Sequence, residues 1–184
     1  MPVLDARIEP LERVVDACAR VIVAGGSIVF PADTSYYMGC DPYRSPVARE
    51  PMELLIATPA EFLEYARSNP LAVLVSRRLF PGPLTAVIRK PAFISANVTA
   101  GLPAVGMRVP EDPLARAILE RTGPLAAAPV RDRAESSADL VIENGPTHYD
   151  REATVVDLTS IHARLVRNGA IGYERLVEVF GPIE

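Results

Sequence analysis

The sequence predicts an α/β fold in one domain spanning residues 1–184, and three observations lead there. First, apolar residues recur every three to four positions in some stretches and form short β-branched runs in others. Second, glycine and proline separate these stretches, while no repeat, low-complexity segment or linker divides the chain. Third, 184 residues with 49% hydrophobic content suffice to bury a core without staples and exclude general disorder.

The elements follow in order. Leu11, Val14, Val15, Cys18, Val21 and Ile22 fall on one helical stripe, and Gly25-Gly26 supply its stop, so 10–24 is an amphipathic helix packed on the strand that follows. Residues 25–42, GGSIVFPADTSYYMGCDP, organise the rest: an apolar strand over 27–30, a polar bend at Asp33-Thr34-Ser35, and a second apolar strand over 36–40. Such a bend holds hydrogen-bonding groups at the lip of a pocket, and we read it as the floor of a ligand site; the same residues would also serve as a plain turn. The next stretch, PYRSPVAREP, carries Arg44 and Arg49 and too many prolines for a helix.

Residues 53–57 read as a strand. Thr58-Pro59-Ala60-Glu61 is a capping box that starts a helix to about Arg67. Over 69–80 strand propensity and the Asn69-Pro70 helix start conflict, and both readings stay open. Strands are predicted over 84–89, 104–109, 125–128, 140–142, 154–158 and 165–166. Asp112-Pro113 caps a helix closing at Gly123, and a last helix covers 173–180.

Composition narrows function. A net charge of −4 argues against broad charge-driven nucleic-acid binding. Cys18 and Cys40 read as small buried hydrophobes, and two histidines without close Cys/His spacing suggest no metal site. No apolar run approaches bilayer length and the N-terminus lacks a signal pattern, so a cytoplasmic location is expected. Lys90 is the only lysine; the other basic residues are arginines, which suit bidentate anion contacts but equally reflect nucleotide bias. Asp33, Ser35 and His148 form no triad motif, so a hydrolase is not indicated.

Several stretches resemble one family. FPADTSYYMGCD is similar to the FPTDTVYGLGCD signature of YrdC-like proteins, LFPGPLTAVI to their WPGPLTLVL, and VGMRVPEDPLA to VGVRVPDHPLA. GPLAA, the ENGP turn, ATVVDL and VRNGAI follow in the family's order, so the resemblance covers most of 10–176. It implies an open twisted mixed sheet with flanking helices, the YrdC-like, double-stranded-RNA-binding-type fold. The activity it implies is threonylcarbamoyl-AMP synthesis from L-threonine, bicarbonate and ATP with Mg²⁺, which feeds tRNA modification. It also implies partners among nucleotides, tRNA and double-stranded RNA. Residue by residue, Thr34 and Arg108 match amino-acid-binding positions, and Arg44, Arg49, Thr154 and Arg167 fall where the nucleotide is held. For Thr34 a turn cap, for Arg108 a structural ion pair and for Arg167 a solvated surface charge are comparable readings.

The departures from the pattern concern the phosphates. The family's Lys-x-Arg-Pro segment is replaced by YRSPVAREPM, without lysine and with Glu50 added. The Ser-Ala-Asn after PLAA is replaced by Pro129-Val130-Arg131-Asp132-Arg133, while a Ser95-Ala96-Asn97 elsewhere is coincidence. Ala32 and Ala153 stand in place of hydroxyl residues, and Tyr37 stands in place of a glycine and puts a ring where the amino acid would lie. Whether the chain is an enzyme is therefore open. The expectation is a YrdC-like protein binding a nucleotide or double-stranded RNA with reduced or lost catalysis. The alternative is an active synthase in which Arg44, Arg49, Arg131 and Arg133 rebuild the phosphate grip.

Overall fold

The computed structural model describes residues 2–44, 50–66, 69–130 and 137–184. Along the chain run β1 (Val3–Asp5), α1 (Leu11–Val23), β2 (Ser27–Pro31), β3 (Tyr36–Cys40), β4 (Glu53–Leu55), α2 (Pro59–Tyr65), α3 (Pro70–Arg78) and β5 (Leu84–Arg89). There follow β6 (Ala104–Arg108), α4 (Pro113–Thr122), β7 (Leu125–Val130), β8 (Leu140–Glu143), β9 (Thr154–Asp157), β10 (Arg164–Arg167) and α5 (Tyr173–Phe180). The strands join one open mixed sheet in the order β1-β8-β2-β3-β7-β4-β6-β5-β9-β10. This is the mixed α/β architecture the resemblance implies.

Start signals decide the helices. Thr58 accepts from the Glu61 N–H at 3.1 Å, and Glu61 reaches back to the Ala57 N–H at 3.2 Å, one residue beyond the usual capping-box partner. The ambiguous stretch is helical from Pro70: Asn69 Oδ1 accepts from the N–H groups of Leu71 and Ala72, and the apolar residues that looked like a strand turn Ala72 and Val75 into the core. Asp112 accepts from Ala115 N–H at 2.8 Å and opens α4. The short strand β1 carries no sequence signal; it exists by parallel pairing with β8, far along the chain.

Alternation along the strands feeds two cores. Leu54 faces the cluster beneath α2, α3 and α5, with Phe62, Val75, Phe80 and Leu176. Leu55, its neighbour, faces the cluster beneath α1 and α4, with Val14, Cys18, Phe30 and Ile118. Tyr37 belongs to this second cluster. Because side chains alternate, Glu53 shares the face of Leu55, and that face of β3, β7 and β4 carries the candidate site.

Among the described residues no helix is long and apolar enough to cross a membrane, and no group of three or more His, Cys, Asp or Glu could hold a metal ion. Cys18 is buried, its thiol pushed up to about 12 by burial, and Cys40 is half-buried; both are free, as small apolar residues would be.

Candidate functional site

The polar bend between β2 and β3 is pinned from beneath. Asp33 and Arg108 are both fully buried and form an ion pair at 3.0 Å. Arg108 Nη1 also donates to Thr34 Oγ1 at 3.0 Å and to the Tyr37 hydroxyl at 2.8 Å, with its guanidinium carbon 5.5 Å from the Tyr37 ring centroid. The other Asp33 oxygen accepts from Asp112 N–H at 2.8 Å, tying the bend to the start of α4. Burial opposes the charge on Arg108, but Tyr37, Asp33 and Glu53 outweigh it and hold the guanidinium pKa above its ordinary value. Burial, with the Glu53 carboxylate adding to it, pushes the Tyr37 hydroxyl well above the usual phenol range, so it stays protonated.

Above this base opens a cavity of about 420 Å³. Thr34, Ser35 and Tyr37 line one side, and Ala127 to Pro129 of β7 another. Three carboxylates complete it, Glu50, Glu53 and Glu152, with Arg167 as the one cation among the described lining residues. That guanidinium is engaged: Nε donates to Ala153 O at 3.0 Å, and Nη1 lies 3.3 Å from Glu152. A wider hollow of about 770 Å³ meets this cavity at Ser35 and carries His148 and Tyr149, their rings edge to face with centroids 4.7 Å apart. A third hollow of about 370 Å³, between α2 and the β9–β10 turn, has mostly apolar walls and a single cation, Arg89.

The structure thus brings Thr34, Arg108 and Arg167 to one region and separates the other expected residues. Thr34 lines the cavity, while Arg108 lies beneath it, committed to Asp33. Arg44 points elsewhere: it donates to Val23 O at 3.2 Å, pairs with Asp41 at 3.7 Å and lines a separate small cleft beside α1. Thr154 is fully buried, and its hydroxyl is occupied by the 169–171 loop. It donates to Ile171 O at 2.8 Å and accepts from Gly169 N–H at 3.1 Å and Ile171 N–H at 2.9 Å. Its structural work is to hold the chain that follows Arg167. Arg49, Arg131 and Arg133 lie outside the described residues. The coincidental Ser95-Ala96-Asn97 forms a turn of its own, Ser95 Oγ accepting from Asn97 N–H.

Two features escaped the sequence. Asp33 was read only as part of a bend, although its carboxylate is the counter-ion of Arg108. Glu53 was read only as the first residue of a strand. The signal available for it was a charge at the inward position of an otherwise apolar run.

Among the described residues, the lining sets three carboxylates and one engaged arginine against a triphosphate. At an effective dielectric of 20, each carboxylate facing a phosphate charge at roughly 5 Å costs about 3 kcal/mol, and one engaged arginine offsets at most one such contact. Mg²⁺, which usually binds through one or two carboxylates plus substrate phosphates, would be the group able to bridge one of these carboxylates to a phosphate.

Comparison with known proteins agrees with the fold. The family model named for Sua5, YciO and YrdC and described as telomere recombination matches residues 20–169. The chain is 30% identical over 184 residues to the threonylcarbamoyl-AMP synthase of Bacillus subtilis (strain 168), an alignment covering 85% of this chain and 53% of that protein. It spans about half the length of the first curated relatives it matches. Among solved structures it is similar to Pyrococcus abyssi Sua5 complexed with L-threonine, with a TM-score of 0.85 and 25% identity, covering 100% of this chain and 61% of that one. Escherichia coli YciO matches with a TM-score of 0.78 at 22% identity, covering 95% of this chain and 97% of that one, a likeness of fold alone.

Proposed function

This chain belongs to the Sua5, YciO and YrdC family, and on that premise we propose that it is a divergent member that binds a small ligand in the cavity above Arg108, with threonylcarbamoyl-AMP synthesis reduced or lost. One observation carries the reading: among the described residues, the cavity presents three carboxylates against a single guanidinium already paired with Glu152. Adenylate formation from ATP gathers negative charge at the α-phosphate and releases pyrophosphate, so it needs cations or bound Mg²⁺ where charge develops. This lining opposes that charge. It equally disfavours the phosphate backbone of double-stranded RNA in this cavity, because the described residues there offer no free cation for the counterion-releasing contacts such binding requires.

What remains is suited to a small polar ligand. Thr34 and Ser35 offer hydroxyls, Tyr37 a protonated phenol, and the alanines of β7 an apolar wall, a mixture typical of small-molecule sites. A second reading, an active synthase, is favoured by the 30% identity to a threonylcarbamoyl-AMP synthase and by the fold match to a Sua5 structure holding L-threonine. It would draw its phosphate grip from Arg49, Arg131 and Arg133.

Isothermal titration with ATP and Mg²⁺, alone and after saturation with L-threonine, separates the two. The proposal expects heat from L-threonine and none from ATP in either state. Tight ATP binding enhanced by L-threonine would move the balance to the synthase.

A further inference from the structure

The hollow between α2 and the β9–β10 turn stands at the far end of β9 from the cavity above Arg108. Ala153, just before the strand, lines the cavity, and Leu158, just after it, lines the hollow. Its volume of about 370 Å³ falls in the range of small-molecule sites, and Tyr65, Leu71, Ile88, Leu158 and Ile161 make its walls apolar. The frame is pinned. Asn69 caps α3 through Oδ1 and donates from Nδ2 to Leu158 O at 2.9 Å, tying the start of α3 to the end of β9. Tyr65 packs against Phe93 with ring centroids 5.4 Å apart. Ile161 stands 85% exposed at the lip, where it extends the apolar wall into solvent.

The polar side chains of the lining are committed, with one exception. Thr159 hydrogen-bonds Asp157, Ser160 Oγ donates to His162 O at 2.7 Å, and Tyr65 hydrogen-bonds Tyr43. Arg89 donates from Nε to Thr159 O at 3.1 Å, which fixes its guanidinium at the lip. Among the described residues it has no carboxylate partner, and its two Nη groups are unclaimed. No carboxylate stands among the described lining residues, in a chain of net charge −4. The start of α3 at Pro70 adds the positive end of a helix dipole.

We propose that this hollow is a second ligand site, which takes a small nitrogen-free carboxylate with an apolar tail. The carboxylate pairs with the Arg89 Nη groups, whose planar fork suits its two oxygens, and the tail lies along Leu71, Ile88, Leu158 and Ile161. An amino acid is the wrong ligand, since no carboxylate among the described lining residues receives its ammonium. The inference is independent of what the cavity above Arg108 binds.

The test is an NMR titration of the isoleucine-methyl-labelled full chain with butyrate, hexanoate and octanoate, and with hexylamine and 1-hexanol as cationic and neutral counterparts of hexanoate. The carboxylates are expected to shift the Ile88 and Ile161 signals and leave that of Ile28, in the α1–α4 core, in place. Affinity should rise with tail length by up to about fourfold per methylene. Hexylamine should bind about tenfold more weakly than hexanoate, although the net charge of the chain favours the amine. Arg89→Gln should weaken hexanoate about fivefold or more and leave 1-hexanol unchanged. Ile161→Asp, at a position already open to water, should keep the melting temperature and weaken hexanoate about tenfold. Equal binding of hexanoate, hexylamine and 1-hexanol, shifts confined to isoleucines outside this hollow, displacement of hexanoate by L-threonine, hexanoate binding indifferent to both variants, or no carboxylate binding at millimolar concentration would each overturn the proposal. Should Arg89→Gln fail to fold, Ile161→Asp and the wild-type ligand series decide.

Discussion

Replacing Arg108 by methionine should destabilise the fold by about 3–5 kcal/mol, the cost of stranding one member of a buried ion pair. Both Arg108 and Asp33 are fully buried, and their charged atoms lie 3.0 Å apart. At an effective dielectric of 20, that separation corresponds to roughly 5 kcal/mol of attraction, which sets the upper scale. Methionine fills most of the arginine volume, so the cavity contribution is small. What remains is an Asp33 carboxylate left with the Asp112 N–H, and the Thr34 and Tyr37 hydroxyls left without their shared donor. For a chain of this size the loss amounts to about 6–20 °C in melting temperature. Urea unfolding of wild type, Arg108→Met, Asp33→Asn and the double variant is the assay. The double variant should be less destabilised than the sum of the single changes by about 2 kcal/mol, because neither charge is then stranded. A loss under about 1 kcal/mol for Arg108→Met, or strict additivity, would refute the reasoning and release Arg108 for direct contact with a ligand.

Three further outcomes follow from particular contacts. Thr154→Val removes one donated and two accepted hydrogen bonds in a fully buried position and should cost on the order of 2–3 kcal/mol by denaturant melts; an unchanged midpoint would contradict its role as the anchor of the 169–171 loop. Gly169→Ala places a Cβ 2.3 Å from Glu152 O and 2.6 Å from Thr154 N, backbone atoms that cannot swing aside, so a loss of about 2 kcal/mol or more is expected by thermal unfolding, and a neutral variant would mean that the two backbones do not approach so closely. The Arg7 guanidinium beside Asp5, through its side-chain and backbone hydrogen bonds, holds that carboxyl down at about 2. The pair's contribution to folding is therefore complete above the unfolded value near 3.8 and is lost as pH falls through about 2. Carbon-detected NMR titration of Asp5 reads this directly, and a midpoint near 3.8 in the folded protein would contradict it.

Much of the architecture was legible because local signals and global packing agree. The stripe of α1, the caps of α2 and α4 and the apolar runs of the inner strands each state their own conformation. Residues 70–78 show what arbitrates when they disagree: a proline at the first turn and an asparagine accepting from two N–H groups outweigh β-branched propensity once one face can be buried. The strand β1 was invisible because its only support is parallel pairing with β8, about 140 residues away, which no local pattern encodes.

The site was legible by position and not by partner. Thr34, Arg108 and Arg167, named from the motifs, meet in one region of the fold, but an arginine in a strand does not announce which carboxylate will face it across the sheet. Tyr37 was expected to crowd the pocket floor. Its ring instead packs into the α1–α4 core and its hydroxyl caps Arg108, leaving a cavity open beside it. Arg44, expected to grip phosphate, is drawn to Asp41 and to the Val23 carbonyl at the C-terminus of α1, where a cation also meets the helix dipole. Glu53 was missed because its hydrogen-bond donor, Thr85, stands on β5 beyond β6, a neighbour that only the assembled sheet supplies.

The most direct test of the account is pyrophosphate release from ATP and Mg²⁺ by the full chain, measured with L-threonine and bicarbonate together and with each omitted. The acidic cavity predicts no release above the ATP-only background in any mixture, even at L-threonine concentrations that saturate binding. Brisk release that requires both L-threonine and bicarbonate would contradict it, and would mean that cations outside the described residues restore the adenylate-forming site.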